Sequence, residues 1–251
     1  LSLPDGRQVA LGNEKEQDTA WMKYVEACTI ESKATTEPAD IKIEVARGGE
    51  YKIRLEDGTT VWLNSESSLI YPEKFTGDKR AVRLSGEGYF EVARDEKKPF
   101  IVSVTDMEIK VLGTKFNVTA YQDEKMTTTT LISGAVEVVT PHRSVQLQPG
   151  KQAMVQEGGD DITVLEVDVE LATSWTAGIF KFDKMALTDI CTRLSRWYDI
   201  DFVFEGETGK EKFTGGTWKY VPLKDFLSKI ERVTNVLFLF ENNTVKVVPK
   251  K

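Results

Sequence analysis

The sequence predicts a mainly β protein with a small α+β domain at its end: a jelly-roll-like β-sandwich followed by a tandem βαβ domain. Three observations lead there. Residues 41–170 are a succession of short alternating apolar runs separated by turn dipeptides. After Trp175 the apolar spacing changes from period two to helical. The helical passage is then written twice, 36 residues apart.

The alternating runs include IKIEVA, YKIRL, TTVWL, AVRL, YFEVA, FIVSV, EIKVL, KFNVTAY, AVEVV and ITVLEV. Each is a half-buried strand by its period, and many short strands at such spacing point to a sandwich, jelly roll or barrel. Turn signals fall at Asp57-Gly58, Gly77-Asp78, Pro149-Gly150 and Gly158-Gly159-Asp160. IRLEDGTTVWLN (53–64) nearly repeats LSLPDGRQVALGN (1–13). Asp-Gly between alternating arms predicts a two-residue hairpin turn in both. GYFEV (88–92) and GAVEV (134–138) form a second echo, and Ser85-Gly86-Glu87-Gly88 reads as a turn before the first of them. Between the two hairpin phrases, NEKEQDTAWMKYVEAC suggests a short helix and TIESKATTEPAD has linker composition, with a connection around 30–40. The expected boundaries are an N-terminal strand, helix and linker over 1–44, the β-sandwich over 45–174 and the α+β domain over 175–251.

In the last region, Leu187, Ile190, Leu194 and Trp197 share one helix face, as do Leu223, Phe226, Ile230 and Val233. IDFVF and VLFLF follow them as strands, and Pro222 opens the second helix, where its missing N–H is no loss. Asn242-Asn243 turns into a last strand, TVKVV. Two β-α-β units in tandem result, with helices on one sheet face.

Composition excludes several functions. With 251 residues, 40% hydrophobic and 29% charged, this is a soluble globular chain able to bury a core without staples. A net charge of −7 and no basic stripe argue against nucleic acid as a partner. No apolar run approaches the ~20 residues of a membrane span. Cys28 and Cys191 fall in separate structural regions, so no disulfide is expected. One histidine, His142, and no clustered acids leave no metal site, which needs about four convergent ligands. No cofactor motif occurs. No Gly-x-Ser-x-Gly is present and one His leaves little for a triad, so an enzyme acting on a separate substrate is not expected. Glu157, Asp160 and Asp161 read as a solvated turn cluster.

A domain of few strands exposes a sheet edge, and an open edge accepts a strand from a second chain. The candidate edges are KFTGGTWKY (212–220) and TVKVV (244–248), with Phe213, Trp218, Tyr220, Val245 and Val247 as partner-binding candidates. The alternation Trp218-Lys219-Tyr220 suits an aromatic grip spaced by a solvated charge. A second reading is a carbohydrate-binding jelly-roll module, with Trp62 or Trp175 as the stacking platform.

A specific set of segments runs in order through the β region: RGGEYKIRLEDGTTVWLNSESSLIYPEKF (47–75), RAVRLSGEGYFEVARDEKKPFIV (80–102), VLGTKFNVTAY (111–121), LISGAVEVV (131–139), LQPGKQ (147–152) and SWTAGIFKF (174–182). By these it closely resembles the FecR family of envelope signal-transducing anti-sigma regulators, in the form common in Bacteroidetes-type genomes. Glu56 stands where a Pro is common and Gly88 where an Ala is common. The C-terminal region is similar to the short N-terminal domain of secretins and TonB-dependent receptors. The resemblance implies the periplasmic domain of a single-pass inner-membrane protein. Its inputs and outputs would be the signalling domain of an outer-membrane TonB-dependent receptor and an extracytoplasmic-function sigma factor. The sigma factor would be held through a cytosolic segment that, with the membrane anchor, is absent from this chain. LSLPDGRQVALGN looks like the strand the family places just outside that anchor, so a portion cut from a longer protein is expected. Some members cleave themselves at a Gly-Thr bond in the motif that here contains Gly113-Thr114. There a Thr hydroxyl attacks the carbonyl before it, turning an amide into an ester that water opens. The plainer expectation is that Gly113 relieves crowding between two strands.

Overall fold

Period-two alternation becomes strand along nearly the whole first two thirds of the chain. The computed structural model describes residues 28–32, 40–105 and 107–250. The first copy of the repeated hairpin phrase and the short helix expected after it lie outside the described residues. The chain divides into two units, Leu1–Val169 and Glu170–Lys251.

The first unit contains β1 (Cys28–Ser32), β2 (Asp40–Val45), β3 (Tyr51–Arg54), β4 (Thr60–Leu63), β5 (Ser67–Pro72), β6 (Arg80–Glu91) and β7 (Phe100–Val104). It continues with β8 (Met107–Val111), β9 (Lys115–Ala120), β10 (Met126–Ser133), β11 (Val136–Val139), β12 (Ser144–Leu147), β13 (Lys151–Gln156) and β14 (Ile162–Glu166). All fourteen hydrogen-bond into one connected sheet. That sheet is folded over on itself about β6. The first half of β6 pairs with β5 (Leu69 opposite Leu84) and, in parallel, with β7 (Val82 opposite Val102). Its second half pairs with β4 (Val61 opposite Phe90) and β9 (Phe90 opposite Phe116). One layer therefore runs β1-β2-β5-β6-β7-β8-β11-β12 and the other β3-β4-β6-β9-β10-β13-β14.

The inward face of both layers is apolar at alternate positions, as the pleat requires. Ile43, Val61, Leu63, Leu69, Phe90, Phe100, Val102, Ile109, Phe116, Val118, Leu131 and Val138 are fully buried. Phe90 stacks on Phe116 at 5.0 Å between ring centroids and leans on Phe100 at 6.4 Å.

Three local expectations are corrected. Cys28–Ser32, which runs from the end of the expected helical stretch into the segment of linker composition, is a strand that pairs antiparallel with β2 from Cys28–Val45 to Ser32–Ile41. Pairing with a neighbour, which composition does not reveal, sets this state. Ser85–Gly88 is not a turn but the middle of the 12-residue strand β6. The Asp57-Gly58 hairpin forms between β3 and β4, but its loop is longer than two residues. Gly58 N donates to Leu55 O at 3.0 Å and Leu55 N to Thr59 O at 2.8 Å, with Gly58 left-handed at φ 87°. That is a type I turn closed by a glycine bulge, the three-residue alternative for hairpins.

The second unit begins within the one-turn helix α1 (Val169–Thr173) and a 3-10 turn, Ser174–Ala177. Then come β15 (Ile179–Ala186), α2 (Leu187–Tyr198), β16 (Asp201–Phe204), β17 (Lys212–Trp218), α3 (Leu223–Arg232), β18 (Val236–Glu241) and β19 (Thr244–Pro249). Both β-α-β units are thus present. They do not share one sheet, however. β15 pairs with β17, while β16, β19 and β18 form a second sheet in that order. Leu187, Ile190, Leu194 and Trp197 of α2 and Leu223, Phe226 and Ile230 of α3 are buried, as their spacing predicts. Val233 is not; it lies one residue past α3 and is 74% exposed.

Gly86 is where β6 passes from one layer to the other. Its φ is 90°, and a Cβ there would lie 2.3 Å from Ser67 Oγ and 2.7 Å from the Ser67 Cα. Gly86→Ala is expected to destabilise the first unit by more than about 2 kcal/mol, from left-handed strain plus the backbone clash. Urea unfolding followed by circular dichroism checks this, and an unchanged midpoint would show that the crossover relaxes without cost.

Candidate functional site

Gly113 and Thr114 lie in the short link between β8 and β9. A Cβ on Gly113 would come within 2.7 Å of Arg94 Cα, so the close approach of a neighbouring backbone accounts for the glycine. Thr114 is buried. Its hydroxyl donates to Ala135 O at 2.8 Å, and its carbonyl accepts from Val92 N at 3.0 Å. An open pocket of about 340 Å³ reaches this link, lined in part by Thr60, Glu91, Arg94, Gly113, Thr114 and Lys115. A hydroxyl nucleophile needs a base to take its proton. Here the proton is given to a peptide carbonyl. The carboxylate lining the pocket, Glu91, is bound by Lys115 at 3.0 Å. The arrangement holds a strand link in place.

The candidate partner contacts separate into two groups. Val245 and Val247 sit in β19, which is flanked by β16 and β18, and both are 0% exposed. They are core residues of a central strand, so they are withdrawn as partner contacts. Phe213, Trp218 and Tyr220 belong to or directly follow β17, which among the described residues pairs only with β15. Phe213 is half-buried, whereas Trp218 and Tyr220 are 61% and 56% exposed. The second candidate edge thus drops out and the first remains.

Lys219, expected to be a solvated spacer, is instead 1% exposed. It lies in the turn directly after β17, and its side chain is buried between two exposed aromatics. The ammonium lies 3.8 Å from the Trp197 ring centroid, 5.6 Å from that of Phe180 and 5.8 Å from that of Trp175. Trp197 Nε1 donates to Lys219 O at 2.7 Å, and Tyr198 Oη donates to Lys219 O at 3.1 Å and Val221 O at 2.5 Å. The last turn of α2 therefore fixes the backbone on which Trp218 and Tyr220 are mounted. Tyr220 also meets Trp197 edge-on at 5.8 Å. Sequence reasoning missed Lys219 as an anchor. The one available signal was its place between two aromatics.

The two carbohydrate platform candidates differ in exposure. Trp175 is 7% exposed. Trp62 points outward from β4 but is flanked by Tyr89 from β6, stacked at 5.3 Å, and by Lys52 from β3, 4.4 Å from the ring centroid. Burial beside Glu91 pushes the Tyr89 phenol up to about 12. His142 is exposed, and among the described residues no group of His, Cys, Asp or Glu is placed to hold a metal. Cys191 is free and buried, which raises its thiol pKa and makes it inert.

The described residues thus form a folded-over β-sheet and an α+β unit whose strand edge carries two exposed aromatics. Comparison with known proteins specifies the family. Residues 41–137 match the family model described as FecR protein, and residues 179–247 match that described as FecR, C-terminal. Two crystal structures of an anti-sigma factor from Parabacteroides distasonis ATCC 8503, at 1.65 and 2.50 Å resolution, are 30% identical to this chain with a TM-score of 0.78. They align over 84% of this chain and over 99% and 100% of theirs. No curated protein matches. The chain belongs to the FecR family, and its role is that of an anti-sigma factor.

Two outcomes follow. Purified protein should give a single uncut mass, unchanged by Thr114→Val; two fragments meeting at Gly113 would overturn the structural role of this link. Burial holds the Lys219 amine well below its ordinary 10.5. Between that lowered value and 10.5 the unfolded chain carries a proton that the folded chain lacks, so stability should rise with pH across this window. Urea midpoints from neutral pH to about 10 should show the slope, and Lys219→Met should reduce it. An equal slope in the variant would mean that the caged ammonium keeps its proton.

Proposed function

We propose that this chain is the periplasmic receiver of a single-pass inner-membrane regulator. It takes its signal from the periplasmic signalling domain of an outer-membrane TonB-dependent receptor. It passes that signal to an extracytoplasmic-function sigma factor on the other side of the inner membrane. The observation that carries this reading is the pairing of two features. The chain is a FecR-family anti-sigma factor, and its C-terminal unit presents an open strand edge with two exposed aromatics. Tyr and Trp are the residues that most often carry binding energy at protein contacts, and an unpaired edge supplies main-chain hydrogen bonds to an incoming strand. None of the described helices is long and apolar enough to cross a membrane. In this reading the described units receive the signal and the family's sigma-binding function is exercised elsewhere in the protein.

The direct test is calorimetric titration of the purified chain with purified signalling domains of TonB-dependent receptors from the same organism. Saturable one-to-one binding is the expected outcome. Two folded proteins that show no heat and no co-elution would remove the receptor from this reading.

A further inference from the structure

Pairing across β3, β4, β6 and β9 sets two rows of side chains on the outer face of their layer. In one row Lys52 lies opposite Trp62, and Trp62 opposite Tyr89. In the next, Arg54 lies opposite Thr60, Thr60 opposite Glu91, and Glu91 opposite Lys115. Residues directly opposite stand about 5 Å apart at Cβ, and residues two apart on one strand about 7 Å, so one small molecule can touch both rows.

The polar groups of the second row are only partly used. Glu91 Oε1 accepts from Lys115 Nζ at 3.0 Å and from Tyr89 Oη at 3.3 Å, while Oε2 takes no bond among the described residues. Among those residues the Thr60 hydroxyl and the Arg54 guanidinium also have no hydrogen-bond or ion-pair partner. Thr60, Glu91 and Lys115 line the open pocket of about 340 Å³. Gly58 lines it too, and Arg54 Nη2 is 3.8 Å from where a Cβ on Gly58 would stand. In the first row, the half-buried Trp62 has one neighbour on each side. Tyr89 stacks on it at 5.3 Å and is itself 8% exposed, which closes that side. On the other side is the ammonium of exposed Lys52, 4.4 Å from the ring centroid. A flexible cation over a solvent-facing ring is weakly held.

Charge and shape together select a class of ligand. Lys52, Arg54 and Lys115 are balanced by Glu91, by Glu87 two residues before Tyr89, and by Glu50 two residues before Lys52. Arg94, also on the pocket, pairs with Glu96. A balanced site has no net pull on a phosphate, an acidic chain or a basic one. An open carboxylate oxygen beside ammonium and guanidinium donors matches a hydroxyl, which both donates and accepts. A single reachable aromatic face does not make the aromatic-lined groove in which a proline-rich helix docks. A pyranose with equatorial hydroxyls meets both conditions. Its faces present axial C–H groups, and its rim presents hydroxyls.

We propose that this face binds a neutral oligosaccharide built of equatorially substituted pyranose units. One ring displaces the Lys52 ammonium and lies on Trp62. Its rim hydroxyls, and those of the next unit, reach Glu91 Oε2, Lys115 Nζ and Thr60 Oγ1, with Arg54 at the lip of the pocket. The site lies within the first unit and is independent of the receptor reading, which concerns the second.

The test titrates the full chain with cellohexaose and with chitohexaose, by calorimetry and by NMR of the indole N–H signals. Saturable binding of one of them, with the Trp62 indole signal shifted, is the expected result. Trp62→Ala and Glu91→Ala should each weaken it at least about tenfold, as truncation of a central contact does. Lys52→Ala should tighten it about threefold, because the ring face is vacated. The indole shift in the unmutated chain keeps the question answerable if Trp62→Ala does not fold. No binding of either sugar, or binding that Trp62→Ala and Glu91→Ala both retain, would overturn the proposal. Tighter binding of trigalacturonate than of either sugar would overturn the neutral class. Binding of a hexaproline peptide in place of the sugars would make the face a peptide site and overturn the assignment. Weaker binding by Lys52→Ala would show that the ammonium belongs to the site and overturn its displacement.

Discussion

The architecture of the first unit depends on one strand serving two sheets. β6 keeps its alternation through the crossover. Arg80, Val82, Leu84, Gly86, Gly88 and Phe90 all face inward, so the strand bends between the layers without flipping its faces. At the bend the layers are too close for a side chain, and Ser67 Oγ fills the space a Cβ would take. That hydroxyl also accepts from Glu87 N at 2.8 Å, so the crossing backbone is bonded as well as packed. Every other strand takes its register, directly or through neighbours, from one half of β6. A slip of one residue would turn the whole inward set outward.

The start of β6 is fixed by a charge. The Arg80 guanidinium is buried, 2.8 Å from Asp57 Oδ2, with further bonds to Ala93 O at 2.8 Å and Lys98 O at 2.9 Å. Asp57 in turn accepts from its own hairpin, from Thr59 N and Thr59 Oγ1, and Thr59 Oγ1 accepts from Ala93 N. The Asp-Gly phrase therefore does two jobs. Its glycine closes a turn, and its carboxylate fastens that turn to the first residue of β6. A buried pair of this kind adds little net stability over an apolar substitute, but losing one partner strands the other's charge. It specifies where the hairpin lies. Glu56, which departs from the family's common Pro, accepts from Phe75 N, a bond that ties the same turn to the segment ahead of β6. Gly88, the other departure, faces the ring of Phe90 3.0 Å from where its Cβ would stand, so the common Ala would need that ring to give slightly.

Local pattern was legible and pairing was not. The alternating runs became strands, the two helices arose at their predicted spacing, and the hairpin formed at Asp57-Gly58, because each depends on residues close in sequence. Four features depend on distant partners. Polar CTIES is a strand only because β2 lies beside it. Ser85–Gly88 contains two glycines and reads as a turn until two sheets are seen to claim it. KFTGGTWKY and TVKVV looked equivalent as edges. Yet β19 lies between β18, its hairpin partner, and β16, a parallel partner 43 residues earlier at Asp201–Thr244. Lys219 looked like a surface charge because composition does not register an aromatic box assembled from α2, β15 and the turn before it.

That box explains how an exposed edge can still be well defined. Two large aromatics on a strand with one neighbour would ordinarily sample many positions, and a partner would have to freeze them on binding. Here the residue between them is drawn into the core. An ammonium taken out of water is costly, and three aromatic faces offset part of that cost. Trp197 and Tyr198 meanwhile take the carbonyl on the same residue. The backbone at Lys219 is thus held from both its side chain and its main chain, and Trp218 and Tyr220 inherit that order while remaining outside. The buried Lys219 side chain is therefore best understood as a positional device for the aromatic pair.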